Sequence, residues 1–215
     1  MLIGIVGSAI FWIYRSKNDS LIPIIYLAAL TCAFVGAKLV YLFSEGWLIP
    51  EQENRLLHWL TGKSVTGALL GGFIGVEGAK KVLGYQKATG DGFAAVLPLT
   101  LIVGRLGCLH HGCCQGIPCE LGSLNRWPSV PVEIAFNLLA FLIFFNFRRF
   151  RFLPNQHFHL YLISYGLFRF AHEFLRATPK PFLALSGYQI VALLLAITGL
   201  CAFLKRKARP PSEAA

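Results

Sequence analysis

The chain has 215 residues, of which 55% are hydrophobic and 14% charged, with a formal net charge of +10 and a mean hydropathy of +0.59. A soluble domain carries roughly 25% charged residues, so this composition points to a membrane protein. The excess of Lys and Arg is spread over loops between apolar runs, so it does not mark a nucleic-acid partner.

Apolar runs near the length that spans a bilayer occur at Leu21–Phe43, Ser64–Leu83, Phe93–Leu109, Val130–Phe147, Phe158–Leu175 and Phe182–Leu204, with a shorter run at Leu2–Tyr14. The expected fold is an all-α integral membrane protein of about seven transmembrane helices. Leu2–Tyr14 is the shortest: about 13 residues rise only ~20 Å. Twelve of the 20 cations lie in alternate loops and the tail, at Arg15, Lys17, Lys80, Lys81, Lys87, Arg148, Arg149, Arg151, Lys205, Arg206, Lys207 and Arg209. The positive-inside rule then puts the N-terminus outside and the C-terminus in the cytoplasm, which requires an odd number of spans. Residues 1–204 are expected to form one transmembrane domain, followed by a polar basic cytoplasmic tail, 205–215.

That orientation sends the loop Ser44–Lys63 and the Cys-rich loop His110–Ser129 to the exterior. In the first, Trp47, Leu48, Ile49, Leu56, Leu57, Trp59 and Leu60 surround Glu51, Glu53 and Arg55, a pattern for a segment lying on the outer leaflet. An ordinary loop with anchoring tryptophans is the plain alternative. In the third run Gly71 and Gly75 form a G-x-x-x-G pair suited to close helix packing. Glu77 stands just before Lys80 and Lys81, where it reaches the inner surface.

Charged residues inside apolar runs are the functional candidates. Tyr165, Arg169, His172, Glu173 and Arg176 recur at helical spacing as one polar stripe, and Arg105 is a second intramembrane cation. A structural Arg–Glu pair joining two helices is the bland reading. Next to Arg105, Cys108, His110, His111, Cys113, Cys114 and Cys119 fall within twelve residues. Three chemistries compete there. Thiolates and imidazoles suit zinc, although the C-x4-C-C-x4-C spacing lacks the C-x2-C knuckle. On an oxidising face a disulfide through Cys119 is possible, whereas adjacent Cys113 and Cys114 are poorly placed to pair with each other. A thiolate near Arg105 and His111 is a candidate nucleophile, with Cys108, one turn beyond Arg105, or Cys113 favoured.

Ordered along the chain, several fragments resemble the prolipoprotein diacylglyceryl transferases. They are Gly36-Ala37-Lys38 with Tyr41, Gly71-Gly72-Phe73-Ile74-Gly75, Asp91 with Pro98 and Gly104-Arg105-Leu106-Gly107, Pro128-Ser129 with Glu133, Tyr165-Gly166-Leu167-Phe168-Arg169-Phe170 with Glu173 and Arg176, and Ser186 with Gln189. The chain looks like a short, divergent branch. Leu70 replaces the family's histidine before the paired glycines, Cys108 its asparagine, His111-Gly112-Cys113 its Asn-Gly-Glu, and Trp127 the histidine before Pro-Ser. The exterior head segment shrinks to about Ile117–Trp127.

The resemblance implies an enzyme of the bacterial cytoplasmic membrane that moves the diacylglyceryl group of phosphatidylglycerol, or a related glycerophospholipid, to a thiol or other nucleophile. A prolipoprotein cysteine or a small molecule is the implied acceptor, and no cofactor is implied. Arg105 and Arg169 are expected to neutralise the leaving phosphate. Glu133 and Glu173 would orient them, and His111, His110 or His172, with Cys108 and Cys113, would supply base or nucleophile. Lys38, Tyr41, Gly71, Gly72, Gly104, Gly107, Tyr165 and Arg176 are the expected substrate-binding residues. A cysteine-centred redox or metal protein, and a non-catalytic lipid-binding or transport protein, are the alternatives on the same fold.

Overall fold

A computed structural model describes residues 2–16, 19–51, 55–121 and 124–207. Its helices are α1 (Leu2–Arg15), α2 (Leu21–Glu45), the short α3 (Arg55–Thr61), α4 (Val65–Leu83), α5 (Gly90–His111), α6 (Ser129–Arg149), α7 (His157–His172) and α8 (Gly187–Lys207). One exception to the all-α expectation is an antiparallel hairpin, β1 (Pro118–Leu121) and β2 (Leu124–Arg126), in the shortened head segment. The apolar-run scan passed over it because seven strand residues carry no detectable alternation.

Four helices are long and apolar enough to cross a membrane, over Leu21–Leu48, Gly90–His111, Ser129–Arg149 and Gly187–Arg206. Between 22% and 44% of each apolar window is buried, and exposed Leu27, Leu39, Leu139 and Leu194 face outward. This is a membrane protein. The helices α1, α4 and α7 are shorter, at 14, 19 and 16 residues. They pack into the same bundle: a core of Leu69, Ala94, Ala140, Phe144, Phe158, Tyr161, Leu162, Tyr165 and Leu195 joins α4 through α8.

Helices in lipid gain little from excluding water and associate instead through close backbone packing. The α2–α4 pair shows this. A Cβ on Gly71 would run into the Cys32 carbonyl, and one on Gly75 would stand 2.7 Å from both the Ala28 oxygen and the Cys32 Cβ. Gly166 does the same for α7 against α8, at 2.7 Å from the Ala192 carbonyl oxygen.

Two expected helix limits move, each for a local reason. The run Phe158–Leu175 is helical only to His172; Glu173–Leu175 tighten into a 3-10 turn and Arg176 is extended. Backbone bonds from Ile117 N to the Leu175 oxygen and from Ala177 N to the Gln115 oxygen draw that segment against the thiol loop. The last helix begins at Gly187 rather than Phe182, because Phe182 and Leu185 close a turn with Leu183 and Ala184 at positive φ. Ser186 and Gln189 then form a reciprocal capping box: Ser186 N donates to Gln189 Oε1 at 2.8 Å, and Gln189 N to Ser186 Oγ at 3.2 Å.

The helix ends sort the chain into two faces. At one end α4, α6 and α8 finish beside the starts of α5 and α7, among Lys80, Lys81, Arg148, Arg149 and Arg206. Here Asp91 of α5 caps α7, accepting from Asn155 N at 2.7 Å and His157 N at 3.2 Å. The opposite end gathers the close of α2, α5 and α7 with the start of α6 and α8, and holds the polar residues considered next.

Candidate active site

Glu133 enters in the first turns of α6 and is 0% exposed. A buried carboxylate is costly unless its lone pairs are taken by cations and donors. Arg105 Nη2 lies 2.7 Å from Oε1 and Arg169 Nη1 3.1 Å from Oε2. The Tyr165 hydroxyl donates to Oε1 at 2.9 Å. Arg176 Nη1 stands farther off, 3.9 Å from Oε2. Helices α5, α6 and α7 and the segment after α7 therefore converge on one carboxylate.

Glu173, also 0% exposed, forms the second node. Its Oε2 pairs with Arg169 Nη2 at 2.9 Å and Arg176 Nε at 3.3 Å, while Oε1 accepts from the Thr178 hydroxyl at 2.6 Å. Arg169 thus spends each terminal nitrogen on a different carboxylate. Arg176 does not: it is 6% exposed, and its Nη1 has no hydrogen-bond acceptor among the described residues. Three guanidiniums against two fully buried carboxylates leave one positive charge in excess. Partly buried Glu45, hydrogen-bonded by Tyr188, borders the cluster beside Glu173, Arg176 and Cys114.

Two devices fix Arg176, and neither is visible as periodicity. Gly116 bridges to Arg176 as an isolated strand pair, and its missing side chain lets the Trp127 carbonyl approach; a Cβ there would also meet Ser129 Oγ at 2.9 Å. Trp127 Nε1 in turn donates to His172 Nε2 at 3.2 Å, which occupies the nitrogen that a general base would need.

The thiols sit on the flank of Arg105. Its Nη1 donates to Cys114 Sγ at 3.6 Å and to Cys108 Sγ at 3.8 Å. Gly112, at φ 65°, ends α5, and Cys114 follows at φ 62°, a left-handed conformation unusual for a residue with a side chain. That backbone turns the Cys114 sulfur in toward the cations. The Cys108 thiol, with Arg105 and Arg176, pulls the Cys114 thiol below its ordinary range, against the opposing effect of burial. The sequence reading favoured Cys108 and Cys113; Cys114 is the thiol it passed over, and only the positive φ separates it from its neighbour.

The other expected site residues fall in different places. His111 is exposed, and its ring packs edge-on against His110. Lys38 stacks 4.8 Å over the Trp59 ring and 5.5 Å over Tyr41, and reaches the Gly62 carbonyl at 3.4 Å. It lies about 10 Å along α2 before Glu45, given seven residues of helix. Tyr41 is buried beside Gly62. Gly71 packs on α2, and Gly72 lines an apolar cavity with Trp12, Tyr26, Phe93 and Phe158. Around Gly104 and Gly107 no atom lies within 4 Å of a built Cβ, so α5 keeps a bare strip on either side of Arg105. Cys119 is free, like the other five cysteines, so of the three chemistries weighed for the cluster the disulfide is not the one the structure contains. Of the interfacial loop, Trp47, Leu56, Trp59 and Leu60 are exposed, while Glu53 is outside the described residues.

The profile of the prolipoprotein diacylglyceryl transferase family matches residues 1–205. The chain belongs to that family. It is similar to the phosphatidylglycerol–prolipoprotein diacylglyceryl transferase of Clostridium tetani, at 27% identity over 94% of this chain and 88% of that protein. It is also similar to the protein of the same name from Dehalococcoides mccartyi, at 29% over 96% and 86%, and to Clostridium perfringens transferase 2, at 24% over 98% and 90%. No solved structure matches the chain. The family match covers residues 1–205, so the buried Arg–Glu cluster lies inside the matched region.

Proposed function

We propose that the chain transfers the diacylglyceryl group of phosphatidylglycerol to the thiol of a prolipoprotein cysteine. The acceptor sulfur attacks the glyceryl carbon, the carbon–oxygen bond to phosphate breaks, and the thiol proton ends on the released glycerol phosphate. One observation carries the reading: Nη1 of buried Arg176 makes no hydrogen bond, its nearest carboxylate oxygen being 3.9 Å away, in a cluster with one more guanidinium than fully buried carboxylates. A phosphodiester brings one negative charge and two acceptor oxygens, the complement of that vacancy. Arg105 and Arg169, already engaged by Glu133 and Glu173, hold the field and shape of the site, and Arg176 makes the direct contact. As charge shifts onto the leaving phosphate, donors fixed in advance in a water-poor site stabilise it without reorganising.

The family names of the relatives support the donor and acceptor classes. The alternating basic loops support seven spans with the N-terminus outside and the C-terminus in the cytoplasm, a multi-pass protein of the bacterial cytoplasmic membrane. In that orientation residues 1–204 form the transferase domain, the tail from 205 is cytoplasmic, and the Arg–Glu cluster opens toward the exterior. The test is turnover by the detergent-purified chain of phosphatidylglycerol labelled in its glyceryl moiety, with a prolipoprotein signal peptide as acceptor. A thioether-linked diacylglyceryl peptide and free glycerol phosphate are expected. Lipid binding without either product would overturn the reading in favour of a carrier.

A further inference from the structure

The thiol group on the flank of Arg105 has no part in that reaction, and its geometry is that of a ligand set. The sulfurs of Cys108, Cys113 and Cys114 all lie within 4.8 Å of one another. Three thiolates on one zinc-class ion, at a metal–sulfur length of about 2.3 Å, are roughly 3.8 Å apart, so closing the set needs about an ångström of side-chain rotation. The backbone is wound to hold them together. Cys113 N donates to the Cys108 oxygen at 3.2 Å, Gly112 N to the Leu109 oxygen at 3.3 Å, and Cys114 sits in its left-handed conformation.

The surroundings suit a thiolate-bound cation. A metal ligand is commonly held by a second hydrogen bond from outside the first ring of ligands, which fixes its orientation. Arg105 supplies this, donating from Nη1 to both Cys108 and Cys114 while Nη2 is anchored on Glu133. Charge points to the valence. Three thiolates with a divalent ion carry one net negative charge, against two with a monovalent ion, beside the Arg105 guanidinium that donates to two of them. Cys113 is exposed, so an ion can enter from solvent, and the fourth position stays open to water. The other three cysteines, Cys32, Cys119 and Cys201, are not in the set.

We infer that Cys108, Cys113 and Cys114 form a three-thiolate site for a soft divalent cation of the zinc class, oriented by Arg105. The site shares Arg105 with the cluster proposed above to hold the lipid phosphate, but its test reads metal rather than turnover. The full chain, purified in detergent, reduced and stripped of metal, is titrated with Cd2+, whose sulfur charge-transfer band counts the thiolates bound. The expected result is one Cd2+ per chain with the band of three thiolates, and protection of three of the six cysteines from alkylation. Cys113→Ser, at an exposed position that leaves the fold intact, should reduce the band by about one third, the share of one thiolate in three. The triple Cys108→Ser, Cys113→Ser, Cys114→Ser variant should abolish it, while Cys119→Ser with Cys201→Ser should leave it unchanged. The inference is overturned if Cys113→Ser keeps the full band, if the Cys119 and Cys201 pair removes it, or if the unreduced protein holds two of the three thiols as a disulfide.

Discussion

Arg169 and Arg176 are four and three residues from opposite sides of Glu173's carboxylate, yet the structure gives them different tasks, and a pair of lysine substitutions separates them. Arg169 spans two fully buried carboxylates, with Nη1 3.1 Å from Glu133 and Nη2 2.9 Å from Glu173. A lysine ammonium is a single point and cannot reach both, so Arg169→Lys gives up its contact with one carboxylate, which keeps only its other arginine, Arg105 on Glu133 or Arg176 on Glu173. Losing one buried charge-assisted hydrogen bond in this way costs about 1.5–3 kcal/mol, enough to lower the melting temperature by several degrees in a chain of this size. Arg176 touches Glu173 through Nε at 3.3 Å and leaves Nη1 without a hydrogen bond, 3.9 Å from Glu133. Arg176→Lys keeps the charge near Glu173, gives up only the longer 3.3 Å contact, and should destabilise less than Arg169→Lys. It removes the planar fork offered to phosphate, a loss of about 3 kcal/mol from the transition state, or roughly a hundredfold in kcat/KM.

The assay pairs thermal unfolding in detergent with turnover of labelled phosphatidylglycerol by both variants. Arg176→Lys should melt near the wild type and turn over poorly, while Arg169→Lys should melt early. An Arg176→Lys protein with near-normal kcat/KM would refute the assignment of Arg176 to the phosphate. Equal destabilisation by the two substitutions would show that both arginines serve the buried carboxylates alone.

Gly71→Ala and Gly72→Ala should behave oppositely: the first drives a Cβ into the Cys32 carbonyl and lowers the melting temperature, and the second meets Ala33 Cβ only at 3.5 Å and is tolerated. If Gly72→Ala melts normally but loses lipid turnover, Gly72 contacts the substrate rather than α2. Asp91→Ala removes the acceptor for Asn155 N and His157 N, and the lost cap should cost about 1 kcal/mol, at most about 2, with turnover per folded molecule unchanged because the cap lies at the end of the bundle away from Arg105. A cysteine label introduced at Gln52 should be accessible from outside and one at Ala214 from the cytoplasm; both positions lie outside the described residues, and labelling on one common side would refute the seven-span orientation.

What was legible in the sequence followed from periodicity and from solvation. The positions of α2, α4, α5 and α6 could be read because an apolar stretch of bilayer length has few other uses. Arg105, Arg169 and Glu173 stood out because a charge in such a stretch demands a partner, while Glu133, which partners both arginines, came only through the family resemblance. The helical stripe went further than the chain does: it placed Arg176 one turn beyond His172, whereas the helix stops there and Arg176 reaches the cluster on an extended strand.

The rest was set by contacts between segments remote in sequence. Nothing local says that Gly116 will lie against Trp127 and bridge to Arg176, or that Trp127 will occupy His172 Nε2. The fate of the three thiols depended on a single backbone dihedral at Cys114, which decides whether its sulfur faces solvent or Arg105. A motif scan weighs residue types and spacings, and Cys113 and Cys114 are equal on both counts. They become different only once Gly112 ends α5 in the left-handed region and the loop folds back on the helix that carries Arg105. The same turn that hid Cys114 from the sequence is what brings three sulfurs within reach of one ion.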